Sequence, residues 1–256
     1  MRKFLIAVLL AALLLPQAAV AERFLQLPDL TAVLCWPQGS TEADAAYVYR
    51  YSYPQVEAAD EDAAEAAETI NAAYRYIAED TAGFVLPVRG ESLPAGAAQA
   101  STTVSYRVTC SDDSWYSVLL CEESHMPGED TLIYSAQVFA SATDKPGNVI
   151  TLPYLLGLLA DDEMDTWLQD RQRDKADDFI RELVWEELQR RQGNGELALI
   201  DGMDYEYFCA IFYPEEHFYL DSDGEPVFFV QPGDVADAEL GLLTFRYTLE
   251  ELLDEL

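Results

Sequence analysis

Hydrophobic and polar positions alternate in several short stretches of the chain, and this period of two predicts β-strands. In residues 45–53 the side chains of Tyr47, Tyr49, Tyr51 and Tyr53 would share one face of a strand. The other predicted strands cover residues 24–35, 102–110, 115–122, 131–141, 207–212, 217–220, 226–230 and 242–247. Turn-forming residues separate the three strands between 102 and 141, which predicts an antiparallel meander.

Two longer stretches have a helical period instead. Residues 56–80 place apolar side chains at helical spacing, and their acidic first turns suit the positive N-terminal end of a helix. Residues 161–192 predict a second helix with a break or a solvated middle at residues 169–178. The Gly-, Pro- and Ala-rich residues 82–100 predict a loop.

The order of these elements predicts the α+β class, with antiparallel sheets packed against a few helices. Strands and helices do not alternate regularly along the chain, so a parallel sheet is not predicted. Thr248 and Glu251 form a capping box that predicts a short final helix. A boundary near residue 155 would divide the chain into two consecutive subdomains, residues 22–155 and residues 156–256, each large enough for its own core.

The N-terminus has the pattern of a secretory signal peptide. Two basic residues precede an apolar run of about a dozen residues, shorter than the roughly 20 that span a bilayer. Ala19 and Ala21 fit a signal peptidase site, so residues 1–21 would be removed before Glu22. The mature protein is then expected to be secreted or extracytoplasmic, with no stable membrane span. Retention of the segment as an uncleaved anchor is the alternative.

Acidic residues dominate the composition. Without the two basic residues of the signal peptide, 13 Lys and Arg face 47 Asp and Glu, which gives the mature chain a net charge of −34. Half of the chain is hydrophobic, so a folded protein with an acidic surface is expected rather than a disordered acidic tail. Such a field repels nucleic acid and anionic membranes and attracts cationic partners. Simple solubility outside the cell is the alternative explanation.

The chain has four cysteines: Cys35, Cys110, Cys121 and Cys209. An even number in an exported chain favours disulfides. In the predicted hairpin Cys110 faces Trp115 and Cys121 faces Val104, about 20 Å apart along one face, whereas a disulfide needs Cα atoms within about 7 Å. Cys35 and Cys209 would therefore pair with these two in either order, or all four would remain buried thiols. The chain has no CxxC spacing, so neither a structural zinc site nor a redox motif is predicted.

The sequence contains no recognisable catalytic motif, and it predicts neither a cofactor nor a metal. His125, placed in a loop, and His217, placed at the start of a strand, are the only histidines. No GxSxG elbow accompanies them, and their separation does not suit zinc. No phosphate-binding glycine loop is present.

The acidic stretch from Asp221 to Glu225 resembles a calcium loop only superficially. An EF-hand loop needs glycine at position 6 and an oxygen ligand at position 12, where this chain has Pro226 and Pro232. Asp223-Gly224 between two aromatic strands predicts a hairpin turn instead.

Four longer stretches follow one another in a recognisable order: "YRYSYPQV…ETINAAYRYIAED", "VSYRVTC…SWYSVLLCEE", "LIYSAQVFASATDKPGNVITLPYLLGL" and "EEHFYLDSDGEPVFFVQPGDVADAELGLLTFRYTLEELL". Because of these four stretches, residues 40–256 resemble a family of extracytoplasmic two-part domains. That family includes a domain of the lysozyme-sensing anti-sigma factor RsiV and the non-catalytic region of the peptidoglycan deacetylase PdaC. The last stretch, an aromatic hairpin followed by a polar crossing and a strand, is the most specific of the four.

The resemblance implies a non-catalytic domain that binds a cationic protein such as lysozyme, or a cell-wall fragment. Only the cleavable segment precedes the domain and no deacetylase domain follows it, so neither sigma-factor regulation nor deacetylation is expected. No local motif identifies contact residues. The alternative from another class is an acid-based glycan hydrolase of the cell wall, which requires a cleft with two carboxylates, at least one of them with a raised pKa. A purely structural surface protein is a third interpretation.

Overall fold

The computed structural model describes residues 23–141, 146–159 and 166–256. Ten strands, all within these ranges, are β1 (Phe24–Gln26), β2 (Leu30–Trp36), β3 (Tyr47–Tyr53), β4 (Val56–Ala58), β5 (Ala100–Ser111), β6 (Trp115–Met126), β7 (Glu129–Ala140), β8 (Phe218–Leu220), β9 (Pro226–Val230) and β10 (Leu243–Arg246). The α-helices described are α1 (Ala64–Asp80), α2 (Leu86–Glu91), α3 (Leu152–Leu155), α4 (Thr166–Gly193), α5 (Tyr205–Ile211) and α6 (Leu249–Glu255). The predicted α+β class is confirmed. No helix in the described part of the chain is long and apolar enough to cross a membrane.

The largest sheet has five strands in the order β2-β3-β5-β6-β7. A second sheet has the order β10-β9-β8, and β1 pairs with β4. The expectation of purely antiparallel sheets is wrong at one place, because β3 and β5 run parallel. The helical connection between them carries the chain back to the starting end of β3, and a parallel pair needs such a long crossover.

One face of the five-stranded sheet packs against α1 and forms the first core. The alternating tyrosines of β3 meet the small residues of α1, and Ile70 and Tyr74 are fully buried between them. Alanine at positions 63, 66 and 67 lets the helix lie close to the strands. The predicted pattern of period two in β3 and helical period in α1 is therefore confirmed.

The opposite face of the same sheet packs against the C-terminal elements. Ala176, Ile180, Val184 and Leu188 follow one another at i+4 spacing on α4 and are fully buried. The second core joins them to residues of β7, β8, β9 and α5. The division into two subdomains at residue 155 stays a prediction, since this core takes side chains from both sides of that position.

The predicted helix at 56–80 begins later in the structure. Residues 56–58 form β4 instead, and Asp60 caps a short 3₁₀ turn by accepting a hydrogen bond from the Ala63 N–H at 2.9 Å.

The predicted loop at 82–100 is also wrong in its first half. A π-helical turn at Thr81–Val85 leads into α2, where Gly90 is required because a Cβ there would collide with the Trp36 ring.

The predicted strand at 207–212 is a helix, α5. Asp204 caps it by accepting a hydrogen bond from the Tyr207 N–H at 2.8 Å. Phe208 and Phe212, four residues apart, then stack in the second core with ring centroids 5.0 Å apart. The aromatic residues that suggested a strand are therefore apolar positions of a helix.

The hairpin of β5 and β6 is confirmed, but its register differs from the prediction. Next to the turn Ser111 pairs with Tyr116 and Cys110 with Ser117, two positions from the predicted register. A bulge between Val108 and Cys110 reduces the difference to one position, so that Cys121 faces Ser105. The predicted partners of the two cysteines, Trp115 and Val104, were wrong because the turn lies one residue later and because a bulge cannot be read from alternation alone.

The helical predictions in the C-terminal half hold in outline. α4 runs unbroken over Thr166–Gly193, with a largely polar middle, while residues 161–165 of the predicted helix lie outside the described residues. Thr248 and Glu251 form both hydrogen bonds of the predicted capping box at the start of α6.

Candidate functional site

The predicted site residues are dispersed rather than gathered. Ala19, Ala21 and Glu22 lie outside the described residues. Cys35, Cys110, Cys121 and Cys209 lie on β2, β5, β6 and α5 and are unpaired in the structure; Cys110 is buried and the other three are partly buried. Burial raises the pKa of Cys110 to about 12 and also raises that of Cys121, so these thiols stay protonated. Disulfide formation stays a prediction.

The two histidines lie in different parts of the fold. His125 lies in β6 and not in the predicted loop, and its ring nitrogens are 3.0 Å from Asp130 and 3.3 Å from Glu123. His217 directly precedes β8 and packs 5.3 Å from the ring of Phe229. Burial lowers the pKa of His217 to about 4, so this imidazole is neutral at physiological pH.

The segment Asp221–Glu225 is a hairpin turn, as predicted. The Asp221 carboxylate accepts hydrogen bonds from the N–H groups of Asp223 at 2.9 Å and Glu225 at 3.1 Å, and it also pairs with Arg246. Gly224 has a φ of +78°, which glycine adopts without strain. These oxygens hold the turn together. No group of three or more His, Cys, Asp or Glu that could hold a metal is found among the described residues.

Asp177 on α4 and Glu215 before β8 are two partly buried carboxylates that interact electrostatically. Burial raises the pKa of both, and the charge of Asp177 contributes to the rise at Glu215. Arg181 lies 3.7 Å from Asp177, and Arg173 lies 4.0 Å from Glu215. The Leu152 N–H at the start of α3 also donates to Glu215. The pair therefore joins three segments of the second core and is compensated by arginines.

We expect the substitution Asp177→Asn to change stability in a pH-dependent way. A carboxyl whose pKa is raised on folding binds more protons in the folded state, so its contribution to stability is lost as pH rises through the raised pKa. The free energy of unfolding of Asp177→Asn relative to the unsubstituted protein should therefore increase between about pH 4 and pH 7. The increase is limited to about 1.4 kcal/mol for each tenfold change in the proton affinity of Asp177 on folding. Urea unfolding at several pH values measures this difference.

The matched control is Asp178→Asn, because the Asp178 side chain is 73% exposed although it also approaches Arg181. For the control, we expect that the difference in the free energy of unfolding from the unsubstituted protein does not increase over this pH range. A flat difference for Asp177→Asn across the same pH range would contradict the proposed burial of its charge.

An exposed, largely helical surface carries a group of acidic side chains. We call it the acidic ridge and define it as the exposed face of residues 57–88, which covers β4, α1, the π-helical turn and the start of α2. Its exposed carboxylates are Glu57, Asp60, Glu61, Asp62, Glu65, Glu68, Glu79 and Asp80. No salt bridge within 4.0 Å joins any of them to a basic group in the described ranges.

Large apolar side chains stand exposed on the same ridge. Tyr76 is 71% exposed, Phe84 is 63% exposed and Val88 is 50% exposed. They are separated by multiples of four residues along the helical stretch and lie away from the face that Ile70 and Tyr74 bury. π-helical turns such as the one that contains Phe84 are frequent at functional sites. The ridge therefore combines uncompensated negative charge with aromatic contact area.

A buried polar cluster fixes the C-terminal end of the ridge to the sheet. Arg89 on α2 donates to Glu122 Oε1 at 2.7 Å, Thr102 Oγ1 at 3.0 Å and Ser124 Oγ at 3.3 Å. It also approaches the Tyr47 hydroxyl at 3.4 Å. Three neighbouring strands are thereby tied to the helix that carries Val88.

Comparisons with known proteins describe the fold only. No family model matches the chain, and no curated protein matches it. A DUF3298 family member from Bacteroides fragilis NCTC 9343 is a similar solved structure, with 12% identity, a TM-score of 0.45 and coverage of 91% of this chain and 92% of that one. A DUF3298 family protein from Pseudomonas aeruginosa PAO1 has 9% identity, a TM-score of 0.48 and coverage of 88% and 91%. The resemblance to the RsiV and PdaC domain family stays a prediction.

Sequence reasoning missed the apolar part of the ridge, although a signal for it exists. Tyr76 and Phe84 fall outside the apolar stripe of the helix, and an aromatic residue outside such a stripe is a candidate for contact with another molecule. Arg89 was also missed, because nothing local to α2 shows that its partners lie on three strands.

Proposed function

We propose that the mature chain is a non-catalytic binding domain that captures a cationic protein through the acidic ridge, with lysozyme as the first partner to test. The observation that carries the proposal is the group of eight carboxylates without a basic partner in the described ranges, beside exposed Tyr76 and Phe84. The signal-like N-terminus and the resemblance to a lysozyme-sensing domain support an extracytoplasmic role.

The two parts of the ridge would act at different stages of binding. Uncompensated carboxylates attract a basic protein over about a Debye length and raise the association rate. Tyr76 and Phe84 would then supply short-range contact area and stack with lysine or arginine side chains of the partner. Because apolar contact is little affected by salt, such a complex would survive physiological ionic strength.

The hydrolase alternative has less support. Asp177 and Glu215 have raised pKa values, but their side chains are only 16% and 23% exposed and both approach arginines. Both carboxylates are mostly buried, whereas a glycosidase needs two carboxylates that face each other across a sugar.

The proposal predicts that binding depends on where charge is removed and not only on how much. A ridge variant carries Glu57→Gln, Glu65→Gln, Glu68→Gln and Glu79→Gln. Its matched control carries four other substitutions at exposed acidic positions: Glu129→Gln, Asp201→Asn, Glu206→Gln and Asp254→Asn. Both variants lose the same charge. Calorimetry at physiological salt should show at least about tenfold weaker lysozyme binding for the ridge variant only. Equal affinities of the two variants would contradict the ridge as the binding surface.

A further inference from the structure

A cleft lies between the five-stranded sheet and the three-stranded sheet, on the side of the larger sheet that faces away from α1. We call it the inter-sheet cleft. Its volume is about 480 Å³, within the range of roughly 300–1,000 Å³ that is usual for small-molecule sites. The polar side chains that line it are Ser105, Arg107, Cys121, Tyr134, Tyr219 and Thr244.

Strand register explains why these side chains meet. Ser105 on β5 pairs with Cys121 on β6, and Cys121 pairs with Tyr134 on β7, so the three form one row across three strands. Two residues further along, Arg107 pairs with Leu119 in the next row of the same face. Side chains at such positions point to one side of a sheet, which here is the floor of the cleft.

The opposite wall comes from the C-terminal sheet and is fixed in place. The Gln231 side chain donates to the Tyr134 carbonyl at 2.6 Å and accepts from the Tyr134 N–H at 2.9 Å. This pair of hydrogen bonds ties the end of β9 to the edge of β7. Tyr219 and Leu242 pack in the same small apolar cluster as Leu119. These contacts hold the two walls of the cleft together.

Arg107 is the residue that gives the cleft its chemistry. No carboxylate lies within 4.0 Å of its guanidinium in the parts of the chain that the structure describes. Burial raises the pKa of Tyr134 and Tyr219, and the charge of Arg107 offsets part of both increases. Both phenols are therefore protonated at neutral pH. The Tyr219 hydroxyl accepts a hydrogen bond from Arg107 and keeps its own proton to donate. The Tyr134 hydroxyl bonds the Cys121 thiol, a weak acceptor, and would exchange that bond for one to a ligand.

We infer that the inter-sheet cleft binds a carboxylate-bearing small molecule or chain end, held by Arg107 with hydrogen bonds from the Tyr134 and Tyr219 hydroxyls. Guanidinium groups match the planar geometry of carboxylates. A singly charged ligand is favoured over a phosphate dianion, because the net charge of −32 repels the second negative charge. Leu119 and Leu242 give the cleft an apolar portion for the ligand body.

This inference is independent of the acidic ridge. Leu119 faces the cleft, whereas its neighbours Val118 and Leu120 face the first core beneath α1. The two sites therefore lie on opposite faces of one sheet, and either can fail in an experiment without the other.

The test uses four probes and the purified protein. Acetyl-alanyl-alanine is compared with its C-terminal amide, and glucuronate is compared with glucose, by ligand-observed NMR titration. We expect at least one acid to bind about tenfold or more tightly than its neutral counterpart. Binding of the peptide acid alone assigns a chain end, and binding of glucuronate alone assigns an acidic sugar.

Variants decide whether the cleft is responsible. Arg107→Gln should weaken acid binding at least about tenfold, and Tyr134→Phe should weaken it less, with both folds checked by circular dichroism. Arg75→Gln is the matched control, because Arg75 is also exposed and has no carboxylate within 4.0 Å in the described ranges. Failure of both acids to bind, equal binding of acids and neutral probes, or unchanged binding by Arg107→Gln would overturn the inference.

Discussion

Replacing Phe139 with alanine is expected to reduce the free energy of unfolding by about 3–5 kcal/mol. Phe139 lies on β7, is 1% exposed and contacts α1 from the sheet. Its ring centroid is 6.1 Å from that of Tyr74 on α1 and 6.5 Å from that of Tyr116 on β6. The substitution leaves a cavity that these two rings cannot fill without moving α1, which carries the acidic ridge.

Urea unfolding of Phe139→Ala and Phe84→Ala measures this effect against a matched control. Phe84 is 63% exposed, so its loss should change stability by no more than about 0.5 kcal/mol. Lysozyme binding should show the opposite pattern, with a loss for Phe84→Ala and little change for the folded fraction of Phe139→Ala. Similar losses of stability in the two variants would contradict the assignment of Phe139 to the core and Phe84 to the surface.

Replacing Arg89 with methionine is expected to reduce the free energy of unfolding by about 2–3 kcal/mol. Removing one partner of a buried ion pair costs about 3–5 kcal/mol, and the lower figure reflects side-chain exposures of 33% for Arg89 and 25% for Glu122. Methionine retains most of the side-chain volume but leaves the Glu122 carboxylate and the hydroxyls of Thr102 and Ser124 without their cationic donor.

The same denaturation experiment with Arg75→Met gives the comparison, because Arg75 lies exposed on α1. The single variant Glu122→Gln and the double variant Arg89→Met/Glu122→Gln complete a double-mutant cycle, and we expect a coupling energy of more than about 1 kcal/mol between the two positions. Additive effects would show that Arg89 acts through packing alone.

Those parts of the fold that local patterns determine could be predicted from the sequence. Alternating tyrosines require one buried face in β3, and the Asp223-Gly224 turn and the Thr248 capping box each act within a few residues. Element type was predicted wrongly where tertiary packing decides it. Residues 207–212 suit either a strand or a helix, and the helix wins because Phe208 packs 5.5 Å from Trp185 on α4.

Functional surfaces were harder to predict than the fold, because they depend on register and on long-range pairing. The bulge after Val108 decides which residues of β5 share a row with Cys121. The parallel pairing of β3 with β5 decides which strands Arg89 can reach. The acidic composition indicated a cationic partner, but only the structure shows that unpaired carboxylates and exposed aromatic side chains occur together on residues 57–88.

Lysozyme binding by the unsubstituted protein, measured by calorimetry at low salt and at about 0.15 M salt, tests the central claim most directly. We predict that binding persists at the higher salt concentration, because Tyr76 and Phe84 add contacts that salt does not screen. Loss of all measurable binding at 0.15 M salt would show that the net charge alone attracts lysozyme, and it would contradict a specific binding role for the acidic ridge.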